Sequence, residues 1–274
     1  MAPTSVLIEV CVDSVESAIA AIDGGAHRLE LCSNLGVGGG TTPSLGLFKA
    51  VRQASPDAPM MVMVRPRIGD FCYTQCEIDV MHNDIQVFKQ AGATGVVFGI
   101  LTADGEVDVI STARLAKEAF PMEVCFHRAF DMTRDAAAAY RAISSISHVT
   151  RILTSGHGPV AAGSVDVLCK LLRDAKSGRS TGAPAILVGS GVNATTVHPL
   201  LNTLVPLGLG EIHLSGATWI SGAMKYRKEG MDMGAGGDGE WGIWRTSRER
   251  VREVRRITDE FWSDSHNTAG GDVS

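Results

Sequence analysis

The chain has 274 residues, 45% of them hydrophobic and 20% charged, with a formal net charge of −5. That balance suits one soluble globular core, and barrels of about 250 residues commonly form a single domain. The acidic balance argues against a nucleic-acid or anionic-membrane binder, and no apolar run reaches the roughly 18 residues of a membrane span. Residues 1–5 carry no basic stretch ahead of the first apolar run, so no signal peptide is expected. Six cysteines in such a chain fit reduced thiols and a cytoplasmic location.

Eight short apolar runs read as strands: 6–11, 28–32, 60–65, 95–100, 123–127, 150–153, 185–188 and 211–214. Between them lie segments of helical periodicity. Residues 14–22 begin with Ser14 as a cap and stop at Gly24-Gly25. Residues 77–91 place Ile78, Met81, Ile85 and Phe88 on one stripe, residues 107–120 end at Pro121, and Asn193 is positioned to cap the helix after the seventh strand. Strands alternating with helices favour parallel pairing through right-handed crossovers, and eight such units predict an α/β fold of the (β/α)8 TIM-barrel type. An open doubly wound sheet is the competing architecture. It usually carries a Gly-x-Gly-x-x-Gly turn after its first strand, and Cys11-Val12-Asp13-Ser14 has no glycine, so no nucleotide cofactor is expected. One domain is expected over residues 1–263. A Gly-rich loop insert at 233–240 would lie over the barrel mouth, a last helix would span 244–262, and the polar tail 264–274 is expected to be disordered.

Barrel chemistry gathers at the C-terminal ends of the strands. There the chain twice reads Glu-x-Cys, as Glu9-Val10-Cys11 and Glu30-Leu31-Cys32. Residues two apart on a strand share a face, so each Glu points the same way as its Cys. Buried Glu9 and Glu30 need partners, and Arg28, Arg65, His127 and His213 are the candidates. Candidate catalytic groups are Glu30, Arg65, Asp70, His127, Arg128 and Asp131, with Glu30 or His127 as general acid or base. Arg67, Ser155, Gly189, Gly191 and Ser215 are candidates for anion binding, because arginine suits carboxylate or phosphate and the run 189–193 leads from a strand towards a helix start. No lysine falls on a strand end, which disfavours a Schiff-base mechanism, and no Gly-x-Ser-x-Gly elbow follows a strand.

If the first two strands pair in register, Cys11 and Cys32 come together at the mouth, and two thiols suit Cu(I) better than four-coordinate zinc. Cys72 and Cys76 would add sulfur from the loop after the third strand. A divalent ion held by Glu9, Glu30, His127 and His213 is the other metal arrangement.

Five strings resemble the CutC copper-homeostasis family when taken together and in order. They are Glu9-Val10-Cys11-Val12-Asp13-Ser14, Arg28-Leu29-Glu30-Leu31-Cys32-Ser33, Arg65 through Tyr73, Phe126-His127-Arg128-Ala129-Phe130-Asp131, and Arg151-Ile152-Leu153-Thr154-Ser155-Gly156. The resemblance covers roughly residues 5–220 and implies a (β/α)8 barrel, a cytoplasmic homo-oligomer, and Cu(I) handled through Cys11 and Cys32. The second functional reading, from the residues alone, is a lyase, isomerase or hydrolase acting on a small anionic, sugar-like or phosphorylated substrate.

Overall fold

The computed structural model describes residues 5–178, 182–228, 230–231 and 233–267. Eight parallel strands close into a barrel in chain order. They are β1 (Leu7–Val12), β2 (Arg28–Leu31), β3 (Met60–Met63), β4 (Gly95–Phe98), β5 (Glu123–Phe126), β6 (Val149–Thr154), β7 (Ala185–Val188) and β8 (Glu211–Leu214). Outside them run α1 (Val15–Asp23), α2 (Leu35–Gly38), α3 (Leu45–Ala54), α4 (Gln75–Gln90), α5 (Val109–Ala119), α6 (Ala136–Ser144), α7 (Val165–Gly178) and α8 (Val197–Leu204). Ser14 caps α1 and Ser44 caps α3, while Thr74 and Glu77 form a reciprocal capping box on α4. Strand residues of one parity, such as Ile8, Val10, Leu29 and Val62, pack under these helices. Those of the other parity fill the barrel, where Cys32, Met61, Met63, Val97, Cys125 and Leu153 share one apolar cluster.

Several boundaries differ from the sequence expectation. β3 ends at Met63 rather than Arg65, because the Arg65 backbone N–H turns to the Thr42 hydroxyl at 2.9 Å. Asn193 does not cap α8; Thr196 occupies that place, while the Asn193 side chain folds back onto the N–H of Thr195 at 2.9 Å. The chain after β8 is not a loop followed by a helix from Trp244. It forms an antiparallel hairpin, β9 (Ala217–Ser221) and β10 (Gly242–Thr246), with Trp244 opposite Trp219. The insert 233–240 lies within the connection between these two strands. α9 (Arg248–Asn267) follows, extending helix past residue 264, and the end of the expected tail lies outside the described residues. Val251 and Val254 are fully buried, and burying each valine contributes about 1.5–3 kcal/mol. α9 thereby closes the outer ring against α1 and α8.

Candidate site at the barrel mouth

The interior is built on charge at its base. Arg28 on β2 sits beside Glu9 on β1, donates to it through Nε, and reaches Glu211 with Nη2 at 2.6 Å. Arg151 continues the chain of ion pairs to Glu211 at 3.3 Å and to Glu123 at 2.7 Å. Of the partners expected for Glu9, Arg28 and His213 fill the role, and Arg65 and His127 do not. The His213 Nδ1–H donates to Glu9 Oε1 at 2.8 Å. Burial works against the Glu9 charge, but the His213 hydrogen bond and the Arg28 guanidinium overcome it and bring its pKa from 4.5 to about 2. A carboxylate on Nδ1 fixes the ring and turns Nε2 up the barrel.

One step above lies a group of three donors. Cys11 Sγ, a Glu30 carboxylate oxygen and a His213 ring nitrogen lie within 4.8 Å of one another, all buried. His213 Nε2 is 3.8 Å from Glu30 Oε2. Burial raises the Cys11 thiol, and the His213 charge beside it only partly offsets that. Glu30 is likewise raised by burial, against the pull of His213. Burial disfavours the His213 imidazolium, yet Cys11, Glu30 and Glu9 facing it carry its pKa well above 6.5.

Cys32 is not one of the three. β1 and β2 pair with Cys11 beside Glu30 and Glu9 beside Arg28, so the two Glu-x-Cys copies are displaced by one two-residue step. The expected in-register pairing of the cysteines does not occur. The Cys32 thiol donates instead to Glu30 Oε2 at 3.5 Å, with burial and the Glu30 charge holding it well above its usual range. A turn covers it at Gly40, whose φ is +96° and where a Cβ would stand 3.2 Å from the sulfur, so a glycine is needed there.

Above the donors opens a cavity of about 900 Å³ lined by residues that include Cys11, Glu30, Arg65, His127, Arg128 and His213. Gly191 and Ser215 also line it. Other candidates fall elsewhere. Arg67 pairs with Glu77 at 2.5 Å and Asp70 at 3.0 Å and lies over Tyr73, folding the β3–α4 loop outside the cavity. Cys72 and Cys76 are exposed in the same region. Asp131 accepts from the backbone N–H groups of Ser155 and His157 and from the Ser155 hydroxyl, and pairs with Arg128 at 2.8 Å. Asp131 and Ser155 therefore organise the turn after β6. Gly189 spends its N–H on Thr154 at 3.0 Å, and the run it begins reaches no helix until Val197.

His127 is not placed for a general base. Its Nδ1 accepts from the Ala129 N–H at 3.2 Å, so the ring proton sits on Nε2. Burial, reinforced by the Arg65 charge, lowers its pKa to about 3. It is a neutral hydrogen-bond donor. The residues that sequence reasoning missed are Trp244, Glu249, Arg250 and Glu253, which form the cavity wall contributed by β10 and α9; their amphipathic pattern gave no hint that a hairpin would turn them to the mouth.

The CutC family model matches residues 6–218. A Chromobacterium violaceum family protein CutC is 40% identical over 254 residues, 93% of this chain and 98% of its own length. The human copper homeostasis protein cutC homolog is 40% identical over 252 residues, 92% of this chain and 88% of its own. A solved CutC structure from Streptococcus agalactiae superposes with a TM-score of 0.67 at 27% identity, over 76% of this chain and 97% of that one. A monomeric dihydrodipicolinate synthase variant, at 11% identity and a TM-score of 0.51, shares the fold alone. With the family model spanning the whole barrel and these relatives aligned along most of their length, the chain belongs to the CutC family.

Proposed function

We propose that this protein takes part in copper homeostasis by binding Cu(I) at the barrel mouth, with Cys11 and His213 as its principal ligands and Glu30 beside them. The observation that carries this reading is the approach of those three donors to within 4.8 Å. A thiolate and an imidazole suit Cu(I), whereas zinc would ask for a fourth ligand. Glu30 Oε1 is buried with no hydrogen-bond partner, as an acceptor waiting for a cation would be. Glu9 orients His213, and Cys32 lies behind Glu30 as a neighbouring sulfur rather than a primary ligand. The human and mouse relatives carry copper homeostasis in their names.

Binding must displace the protons on Cys11 and on His213 Nε2, so apparent affinity is expected to rise from pH 5.5 to pH 7.5. Reduced protein titrated with Cu(I) against a competing chelator tests the assignment. Cys11→Ser and His213→Gln are each expected to weaken binding at least tenfold, and Cys32→Ser much less. Wild-type affinity in Cys11→Ser would overturn the proposal.

A further inference from the structure

An ion fills a small part of a cavity of about 900 Å³. That volume lies in the range of small-molecule sites, about 300–1,000 Å³. Among the described residues, eight buried side-chain nitrogen or oxygen atoms have no hydrogen-bond partner. Four of them belong to residues that line this one cavity: Glu30 Oε1, His127 Nε2, Trp244 Nε1 and Arg65 Nε, the Arg65 side chain also having the Tyr73 hydroxyl beside it. Buried groups without partners are rare in folded proteins, and each asks for a reason. Their gathering on one cavity has a common reason if a ligand satisfies them.

The chemistry of the four atoms describes that ligand. Three are N–H donors and one is a carboxyl oxygen. The His127 proton is on Nε2 because Nδ1 accepts from Ala129, and its ring meets Phe71 edge-on at 4.9 Å. The Arg65 guanidinium lies over the Phe71 ring, 5.0 Å from its centroid, its Nη1 spent on the carbonyls of Gly38 and Gly40 and its Nη2 on Gly69. Arg128 adds positive charge on the same side and, like Arg65 and His127, lines the cavity. α9 contributes Glu249, Arg250 and Glu253 to the lining, a wall of net negative charge, so negative charge on a ligand is favoured beside Arg65 and Arg128. Between the polar groups the lining is apolar, with Met63, Phe71, Leu153 and Val192.

We infer that the cavity binds a small hydroxycarboxylate with an apolar body: its carboxylate meets Arg65, His127 and Arg128, its hydroxyl accepts from the Trp244 Nε1–H and donates to Glu30 Oε1, and its body lies against Phe71 and Leu153. This goes beyond the copper reading and does not depend on it. The Trp244 wall also lies past residue 218, where the family model ends, so part of the site is supplied by β10 and α9.

Calorimetric titration of the metal-free protein, in the presence of a chelator, with mandelate and 3-phenyllactate tests it, with 1-phenylethane-1,2-diol as the uncharged control. Saturable binding of at least one acid in the millimolar range or tighter is expected, with the diol at least tenfold weaker. His127→Asn keeps an acceptor for the Ala129 N–H and removes the Nε2–H; it is expected to weaken the acid about tenfold or more, as loss of a hydrogen bond to a charged group does. Trp244→Phe, which keeps an aromatic side chain but loses the N–H together with the second ring of the indole, is expected to weaken it several-fold. Arg67→Met, outside the cavity, is expected to change nothing, and thermal melts verify that each variant is folded. No saturable binding of either acid, equal binding of the diol, or wild-type binding in both His127→Asn and Trp244→Phe would overturn the inference. Because copper is absent throughout, failure here leaves the Cys11–His213 assignment standing, and failure of that assignment leaves this one.

Discussion

Replacing Glu9 with Gln probes the base on which the site stands. The substitution keeps the shape and an acceptor for the His213 Nδ1–H but removes the charge facing Arg28. Two independent routes give its cost. A carboxyl moved from 4.5 to about 2 favours the folded state by about 3 kcal/mol at neutral pH, at roughly 1.4 kcal/mol per tenfold change in proton affinity. Breaking a buried ion pair by removing one partner costs about 3–5 kcal/mol, and Arg28 retains Glu211 at 2.6 Å, which favours the low end. Both point to about 3 kcal/mol. The folded-state pKa is depressed, so the stabilisation is present above pH 4.5 and is lost as pH falls towards 2. The Gln side chain does not titrate. The gap between wild type and Glu9→Gln in urea unfolding should therefore shrink from about 3 kcal/mol at pH 7 to about 1 kcal/mol at pH 3. A gap under 1 kcal/mol at pH 7, or one that stays constant to pH 3, would refute the reasoning.

His127 has the opposite acid behaviour to a paired histidine. Its folded pKa of about 3 lies below the ordinary 6.5, so between these values the unfolded chain takes up a proton that the folded chain refuses. Stability should fall with acidification from about pH 6.5, by up to roughly 1.4 kcal/mol per pH unit, and His127→Asn should show a shallower slope between pH 6 and pH 4 in the same unfolding assay; equal slopes would count against a buried neutral imidazole. Gly40→Ala should cost about 1–2 kcal/mol for a left-handed residue that gains a Cβ, because φ is +96° and the Cβ meets Cys32 Sγ at 3.2 Å. The same variant should let a thiol reagent reach Cys32 faster under native conditions, and unchanged stability and labelling would show that this turn does not cover the thiol.

Apolar runs with capped helical stretches between them were enough to read a (β/α)8 barrel from the residues. Period-two alternation also revealed that Glu9, Cys11, Glu30 and Cys32 face the same side, because side-chain direction along a strand is local geometry. Level is another matter. The stagger of neighbouring strands in a closed barrel is set by closure of the whole sheet, and it brought Cys11 beside Glu30 rather than Cys32. It also set His213, distant in sequence, beside Glu9. The proton position on His127 depends on the backbone turn at Ala129, which no residue pattern announces. The hairpin after β8 was hidden because its strands are joined by a Gly-rich connection with no hydrophobic period of its own. Composition and periodicity thus determined the barrel and which residues point into it. Strand register and the packing of β10 and α9 over the mouth decided which of those residues meet, because both arise from contacts between segments far apart in the chain.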